Sequence, residues 1–351
     1  MKKVMFVCQS LGNGGAERVV SVLSEAIKNK YQVYILTLSS NDSAYPVSEN
    51  VKVIAANINK KGFAKKCERI KTIKKTVIEY GIDVVIAFSH YNAMYSVLAL
   101  RGMKNVRIIG SERNDPAQLA DRKILNWYRN KLYRKLDCLV CQTEDAKSYF
   151  PEEIQKKSVV ILNPLKDNLP YRFEGEREKR IVSFSRLEKQ KNIPMLIDAF
   201  EILYNDFPDY RLDIYGDGSQ KEYLEEYILR KKLADCVSIS PFQKNIHEAV
   251  LKATAFALSS DYEGLSNSML EAMAIGIPTV VTDCPCGGAR MVIKDGENGY
   301  LVHVGNSNEM YKKIKKLIED KDIAEKISKS GTQIRNKLSV DEISRQWMSI
   351  L

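Results

Sequence analysis

Glu263 and Glu271 stand eight positions apart in EGLSNSMLEAMAIGIP, one just before a helix and one inside its first turns. Carboxylates so placed have two uses. Ser268-Met-Leu-Glu271 fits a capping box, in which Glu271 bonds back to its own helix start, and Gly276 and Pro278 then end the helix. That use leaves Glu263 and the small-residue approach YEGLSN unexplained. A ligand would explain both. Backbone N–H groups of Gly264, Leu265, Ser266 and Asn267 would receive phosphate oxygens at the helix start. Glu271 would accept two vicinal ribose hydroxyls, and Glu263 would face the group beyond the diphosphate.

Two further stretches fit such a ligand. In SFSRLEKQKNIPMLIDAF, Arg186 follows a strand and Lys191 comes five residues later, just before a helix. A planar fork and a point charge at a strand's carboxyl edge suit a diphosphate, whereas two solvated surface charges are the ordinary alternative. In QSLGNGGAERVV, Gly12, Gly14 and Gly15 lead from a strand into a helix. The loop is neither G-x-G-x-x-G nor the Walker pattern. It makes a tight turn with Glu17 set on the helix dipole, or it lets backbone N–H groups approach an anion.

These residues need a frame that gathers strand ends. Short Val/Ile-rich runs (KVMFVCQ, QVYILTL, DVVIAFS, VRIIGS, DCLVCQT, SVVILN) alternate with helical stretches up to a polar segment at 166–179. The pattern then restarts with RIVSFS, YRLDIYG, VSISPF, TAFALSS and PTVVT, and 307–351 reads as all-helical. Alternation of this kind predicts parallel sheets covered on both faces, with ligands at the carboxyl ends of the strands. The 351 residues exceed one core. The expectation is an α/β chain of two Rossmann-like domains, 1–165 and 166–335, facing a central cleft, with a C-terminal helix at 336–351 that packs back on the first.

No stretch approaches the ~20 apolar residues of a spanning helix, and the apolar start, Val4 to Cys8, reads as a buried first strand rather than a leader. Seven cysteines without framework spacing predict reduced thiols in a cytoplasmic protein. Neither Cys138/Cys141 nor Cys284/Cys286 has a second pair at zinc spacing, so no metal is expected. The net charge of +10 is uneven: residues 1–165 hold 27 Lys+Arg against 15 Asp+Glu, the remainder 27 against 29. That asymmetry predicts a polyanionic partner for the first half.

DYEGLSNSMLEAMAIGIPTVVTDCPCGGARMVIKDGENGYLV, taken with SFSRLEKQKN and GNGGAE in that family order, resembles the signature of the retaining glycosyltransferases of family 4, which have the GT-B fold. The likeness covers nearly the whole chain. It is most similar to bacterial enzymes that build capsule, lipopolysaccharide or lipid-linked oligosaccharides. The resemblance implies that Arg186 and Lys191 stabilise the leaving nucleotide diphosphate, that Glu263 contacts the donor sugar and that Glu271 holds the ribose. It implies a first-domain loop at Gly14 and Gly15 that closes over the diphosphate, and a base site near Phe242 in PFQKN. Many relatives carry a histidine after the strand at VRIIGSERNDP, where this chain has Ser111, Glu112, Arg113 and Asn114. Glu17, His90, Glu112 and Arg113 are therefore the candidates for sugar or acceptor contacts, with His90 either facing the cleft or capping a helix.

The basic half contains KKGFAKKCERIKTIKKTVIEYG (60–81), with Phe63, Cys67, Ile70, Ile73 and Val77 at helical spacing, and RKILNWYRNKLYRKLD (122–137). Basic helices with interfacial aromatics suit an anionic bilayer, and no nucleic-acid module is recognisable. Lys65, Lys66, Lys74, Lys75, Trp127 and Tyr128 are the expected membrane contacts; the ordinary alternative is solvated lysines over stripes that pack on the sheet. The whole predicts a metal-independent transfer of a sugar from a uridine-linked nucleotide to a polyprenyl-diphosphate-linked or other glycolipid acceptor. The expected place is the cytoplasmic side of the cell membrane, held peripherally. A nucleotide-sugar epimerase and an inactive partner of a transferase are the alternatives.

Overall fold

A computed structural model describes every residue except 13, 40–44, 46 and 244. The chain divides into two compact units, Met1–Lys166 with Leu338–Leu351, and Asp167–Lys337.

The first unit is built on a parallel sheet of seven strands: β1 (Lys3–Cys8), β2 (Gln32–Thr37), β3 (Val51–Ala55), β4 (Val84–Phe88), β5 (Arg107–Ser111), β6 (Cys138–Cys141) and β7 (Ser158–Val160), in the order β3-β2-β1-β4-β5-β6-β7. Its helices are α1 (Gly15–Ile27), α2 (Gly62–Tyr80), α3 (His90–Ala99), α4 (Lys123–Tyr133), α5 (Glu144–Ser148) and α6 (Glu152–Gln155). The inner strands are apolar on both faces because helices cover both; β4, VVIAF, is buried throughout. β3, VKVIA, is an edge strand with Lys52 exposed at its second position, and this break in the apolar run hid it from the sequence reading.

The second unit has six parallel strands, β8 (Glu178–Phe184), β9 (Arg211–Tyr215), β10 (Val237–Ser240), β11 (Ala253–Leu258), β12 (Thr279–Thr282) and β13 (Tyr300–Val302), in the order β10-β9-β8-β11-β12-β13. Its helices are α7 (Ile193–Asp206), α8 (Lys221–Arg230), α9 (Ile246–Val250), α10 (Asn267–Ala274), α11 (Ser307–Glu319), α12 (Lys321–Gly331) and α13 (Ile334–Lys337). Leu196, Phe200 and Leu203 of α7 join Ile314 and Leu317 of α11 in one core with the β8 and β9 side chains.

The last helix, α14 (Val340–Met348), belongs to the first unit and packs on α1. Trp347, 1% exposed, stacks on Phe88 with ring centroids 5.9 Å apart and an interplanar angle of 16°. None of the seven cysteines forms a disulfide. No helix among the described residues is long and apolar enough to cross a membrane.

Each sheet reverses its strand order once, between β1 and β4 and between β8 and β11. At such a point the two following loops diverge to opposite faces and leave a crevice at the carboxyl edge. In both units a residue other than glycine is held at positive φ between a switch strand and the next helix: Ser89 (φ 85°) directly after β4, and Asn192 (φ 42°) at the start of α7. Strain of that kind collects where the surroundings fix a loop for a purpose.

Candidate functional site

The loops after β8 and β11 carry three of the residues singled out in the sequence. Lys191 ends a 3-10 turn (Lys189–Lys191), and Asn192 then caps α7 by accepting the Met195 N–H. Asn192 Nδ2 also donates to Asp261 Oδ1 at 2.7 Å, Gln190 Nε2 to the Tyr262 carbonyl at 2.7 Å, and Ser259 Oγ to the Lys191 carbonyl at 2.9 Å. So laced, the loops bring Lys191 Nζ into an ion pair with Glu263 Oε1, with side chains 9% and 13% exposed. Ser260 Oγ donates to the same carboxylate at 2.8 Å. A nearly buried carboxylate needs such partners. Arg186 is on the same loop, exposed.

Beyond Glu263 the backbone is pinned. Its N–H donates to the Pro285 carbonyl at 2.7 Å, and the Cys286 N–H donates to its carbonyl at 2.9 Å. A Cβ on Gly288 would fall 1.9 Å from the Gly264 carbonyl oxygen, so only glycine permits that approach. Gly264 and Leu265 lead to Ser266, whose Oγ accepts the Met269 N–H and caps α10 at Asn267. The cap is thus Ser266, and the capping box read at Ser268 and Glu271 does not form. Glu271 is instead one turn into α10, where its Oε2 lies 2.8 Å from His247 Nε2, both residues 7% exposed.

Sequence reasoning missed His247, a lone histidine on the short helix α9. It also missed the loop after β9, where a Cβ on Gly216 would meet the Ser185 carbonyl oxygen at 1.8 Å and one on Gly218 the Leu187 carbonyl oxygen at 2.3 Å. The YGDGS spelling of that loop was the available signal. Asp217 on it accepts the Phe242 N–H at 3.0 Å, and Phe242 is 46% exposed past the end of β10. Lys244, beside it in PFQKN, lies outside the described residues.

In the first unit, Gly14 caps α1 at Gly15 with an ordinary φ of −85°. A side chain there would collide with Glu17, whose Oε2 would lie 1.9 Å from a Cβ, so the Glu17 carboxylate lies across the helix start. Asn13, in the same loop, lies outside the described residues. His90 opens α3 just past β4, and its Nδ1 is 3.9 Å from Glu112 Oε1. Glu112 is buried and accepts the Tyr133 hydroxyl at 2.9 Å. Burial raises the Glu112 pKa, against the pull of Arg129, and lowers that of His90 to about 4 with help from Arg129 and Arg122. His90 is therefore neutral at physiological pH. Arg113 lies 4.5 Å over the Phe88 ring and donates to Asn163 Oδ1 at 3.0 Å; burial lowers its pKa to about 9.

The basic helices α2 and α4 both pack against α3. On α2, Ile73 and Val77 are buried, but Phe63, read as part of the same stripe, is 79% exposed. It sits in the first turn, beyond the reach of the core. Lys66, Lys74 and Lys75 are exposed and Lys65 is half-buried. On α4, Trp127 is 61% exposed with Lys131 Nζ 5.0 Å over its ring, and Tyr128 is exposed beside it. Among the described residues no three His, Cys, Asp or Glu side chains gather to hold a metal ion.

Two family models match the chain: "Glycosyltransferase Family 4" over residues 13–168 and "Glycosyl transferases group 1" over 170–334. The chain is 28% identical to the N-acetylgalactosamine-N,N'-diacetylbacillosaminyl-diphospho-undecaprenol 4-alpha-N-acetylgalactosaminyltransferase of Campylobacter jejuni, over 96% of this chain and 95% of that protein. It is 26% identical to the amylovoran biosynthesis glycosyltransferase AmsD of Erwinia amylovora, over the full length of both. Among solved structures it is similar to Anabaena HepE in complex with UDP-glucose, with a TM-score of 0.85, 20% identity and full coverage of both chains.

Proposed function

The chain belongs to the glycosyltransferases of the GT-B fold, and from that premise we propose that it is a retaining enzyme that moves a sugar from a uridine-linked nucleotide diphosphate to a lipid-linked glycan. The observation that carries this reading is the convergence of Lys191, Glu263 and the α10 helix start at the β8/β11 switch point. Each suits a different part of one ligand. The helix start and Lys191, with Arg186, take the diphosphate; Glu263 meets the sugar; Glu271 takes the ribose; and Phe242 flanks the base.

In the reaction the bond between the anomeric carbon and the diphosphate oxygen breaks, and its electron pair stays on the diphosphate. The acceptor hydroxyl attacks from the face the nucleotide leaves, and its proton goes to the departing phosphate oxygen. Lys191, Arg186 and the α10 dipole stabilise the growing charge. The relatives' diphospho-undecaprenol and amylovoran names support a polyprenyl-diphosphate-linked acceptor in surface polysaccharide assembly. We assign acceptor binding to the first unit, with Gly14, Gly15, Glu17, His90, Glu112 and Arg113 near its switch point, and place the enzyme peripherally on the cytoplasmic face of an anionic membrane.

A panel of nucleotide sugars, assayed for released nucleoside diphosphate with and without a glycolipid acceptor, tests the reading. Release that requires the acceptor is expected. An interconverted nucleotide sugar would make the chain an epimerase, and no turnover with any donor would leave it a partner protein. Turnover should survive a chelator unchanged; a strict requirement for Mg²⁺ or Mn²⁺ would overturn the proposed leaving-group stabilisation.

Glu271→Ala is expected to weaken nucleoside diphosphate binding by ~1.5–3 kcal/mol, the worth of hydrogen bonds to a charged acceptor. Titration calorimetry reads this directly. Unchanged affinity with a lowered melting temperature would make Glu271 a structural partner of His247 only.

A further inference from the structure

We propose that His247 is the positioning residue for Glu271, fixing its carboxylate for the ribose of the donor; the proposal rests on the reading of Glu271 just given. A glutamate carries three rotatable side-chain bonds, and holding it ready for two vicinal hydroxyls requires something to fix the carboxylate. The His247 Nε2 to Glu271 Oε2 contact of 2.8 Å does so. An ionised carboxylate only accepts, so Nε2 carries the proton. A carboxylate offers about four acceptor positions, so a bond to His247 and hydroxyl donors can share one group.

The imidazole is itself held. His247 is buried, on a helix whose Ile246 and Val250 are in the core, and the Phe184 ring meets it edge-on at 6.1 Å and 84°. Phe184 ends β8, the strand whose loop carries Arg186 and Lys191, and it packs on Phe256 of β11 at 4.8 Å. One rigid wall thus backs the ribose carboxylate and the switch-point strands. The choice of partner also differs between the two glutamates. Lys191 sets an ammonium against Glu263, whereas an imidazole nitrogen orients Glu271.

Positioning and packing make different predictions for a ligand lacking one hydroxyl. Titration of the full chain with UDP and 2′-deoxy-UDP (or the corresponding pair if the panel selects another base) gives a discrimination ratio. In the unaltered protein the lost hydrogen bond to a charged acceptor makes this ratio about tenfold or more. His247→Leu should bring it close to one, through a loss on the ribonucleotide. His247→Gln, whose amide N–H reaches the same carboxylate, should largely restore it, and it keeps the test available if the leucine variant is unstable. If His247→Leu weakens both ligands equally and keeps the ratio, the inference is overturned. If Glu271→Ala collapses the ratio and neither His247 variant changes it, Glu271 keeps its role without His247. A ratio near one in the unaltered protein removes the ribose reading of Glu271 itself.

Discussion

Replacing Lys191 with alanine is expected to lower turnover by about 10²- to 10³-fold, the usual effect of removing one group aimed at developing charge, with a much smaller change in donor affinity. The diphosphate is more negative in the transition state than in the bound donor, so a fixed cation there favours the former. The pairing with Glu263 complicates the variant, because alanine leaves that carboxylate nearly buried with, among the described residues, the Ser260 hydroxyl and a 3.4 Å contact from Gln190 Nε2. Breaking a buried pair from one side costs ~3–5 kcal/mol of stability. Lys191→Ala combined with Glu263→Gln should therefore recover most of the melting temperature and none of the rate. Arg186→Ala supplies a second arm without that complication, since Arg186 is exposed. Single-turnover rates at saturating donor, measured beside denaturant unfolding, separate the effects. Full turnover in both Arg186→Ala and the double variant would remove the basic pair from the chemistry.

The parallel sheets were legible because buried strands spell themselves out: VVIAF and AFAL are unbroken apolar runs, buried throughout. Two edge strands, β3 and β13, were not. Lys52 broke the pattern of β3, and β13 spans only Tyr300–Val302. Of the candidate site, sequence spacing identified residues that follow switch strands, since loop position depends only on strand order. It could not supply partners across the fold. His247 and Glu271 are 24 residues apart and belong to no common motif. Trp347 is an unremarkable position in an amphipathic helix until the chain returns to lay it on Phe88. The helix NSMLEAMA was read with its observed bounds, but not its cap: both Ser266 and Ser268 can cap, and only backbone geometry chooses Ser266 over the box at Ser268 and Glu271.

Changing Lys65, Lys66, Lys74 and Lys75 together to glutamate is expected to abolish co-sedimentation with vesicles containing anionic lipid. Each cation near such a surface contributes ~1 kcal/mol, so losing four weakens binding by roughly 10³-fold before the added repulsion is counted. The apolar contacts sit with the charge: Phe63 opens the same helix, and exposed Trp127 and Ile124 stand on α4, with α3 touching both helices. On an anionic bilayer, basic residues would meet the headgroups and aromatic side chains the interface, so both sets are expected to contribute. Unaltered protein should bind anionic vesicles and not neutral ones, and should release as salt shortens the Debye length below its ~8–10 Å at moderate ionic strength. The fourfold variant should keep its activity on a short water-soluble acceptor. Equal loss on soluble and membrane acceptors would move these lysines from docking to folding or to acceptor phosphate binding. Undiminished vesicle binding would shift the anchor to Trp127, Tyr128 and the cations of α4, and Trp127→Ala in the same assay would then have to release it.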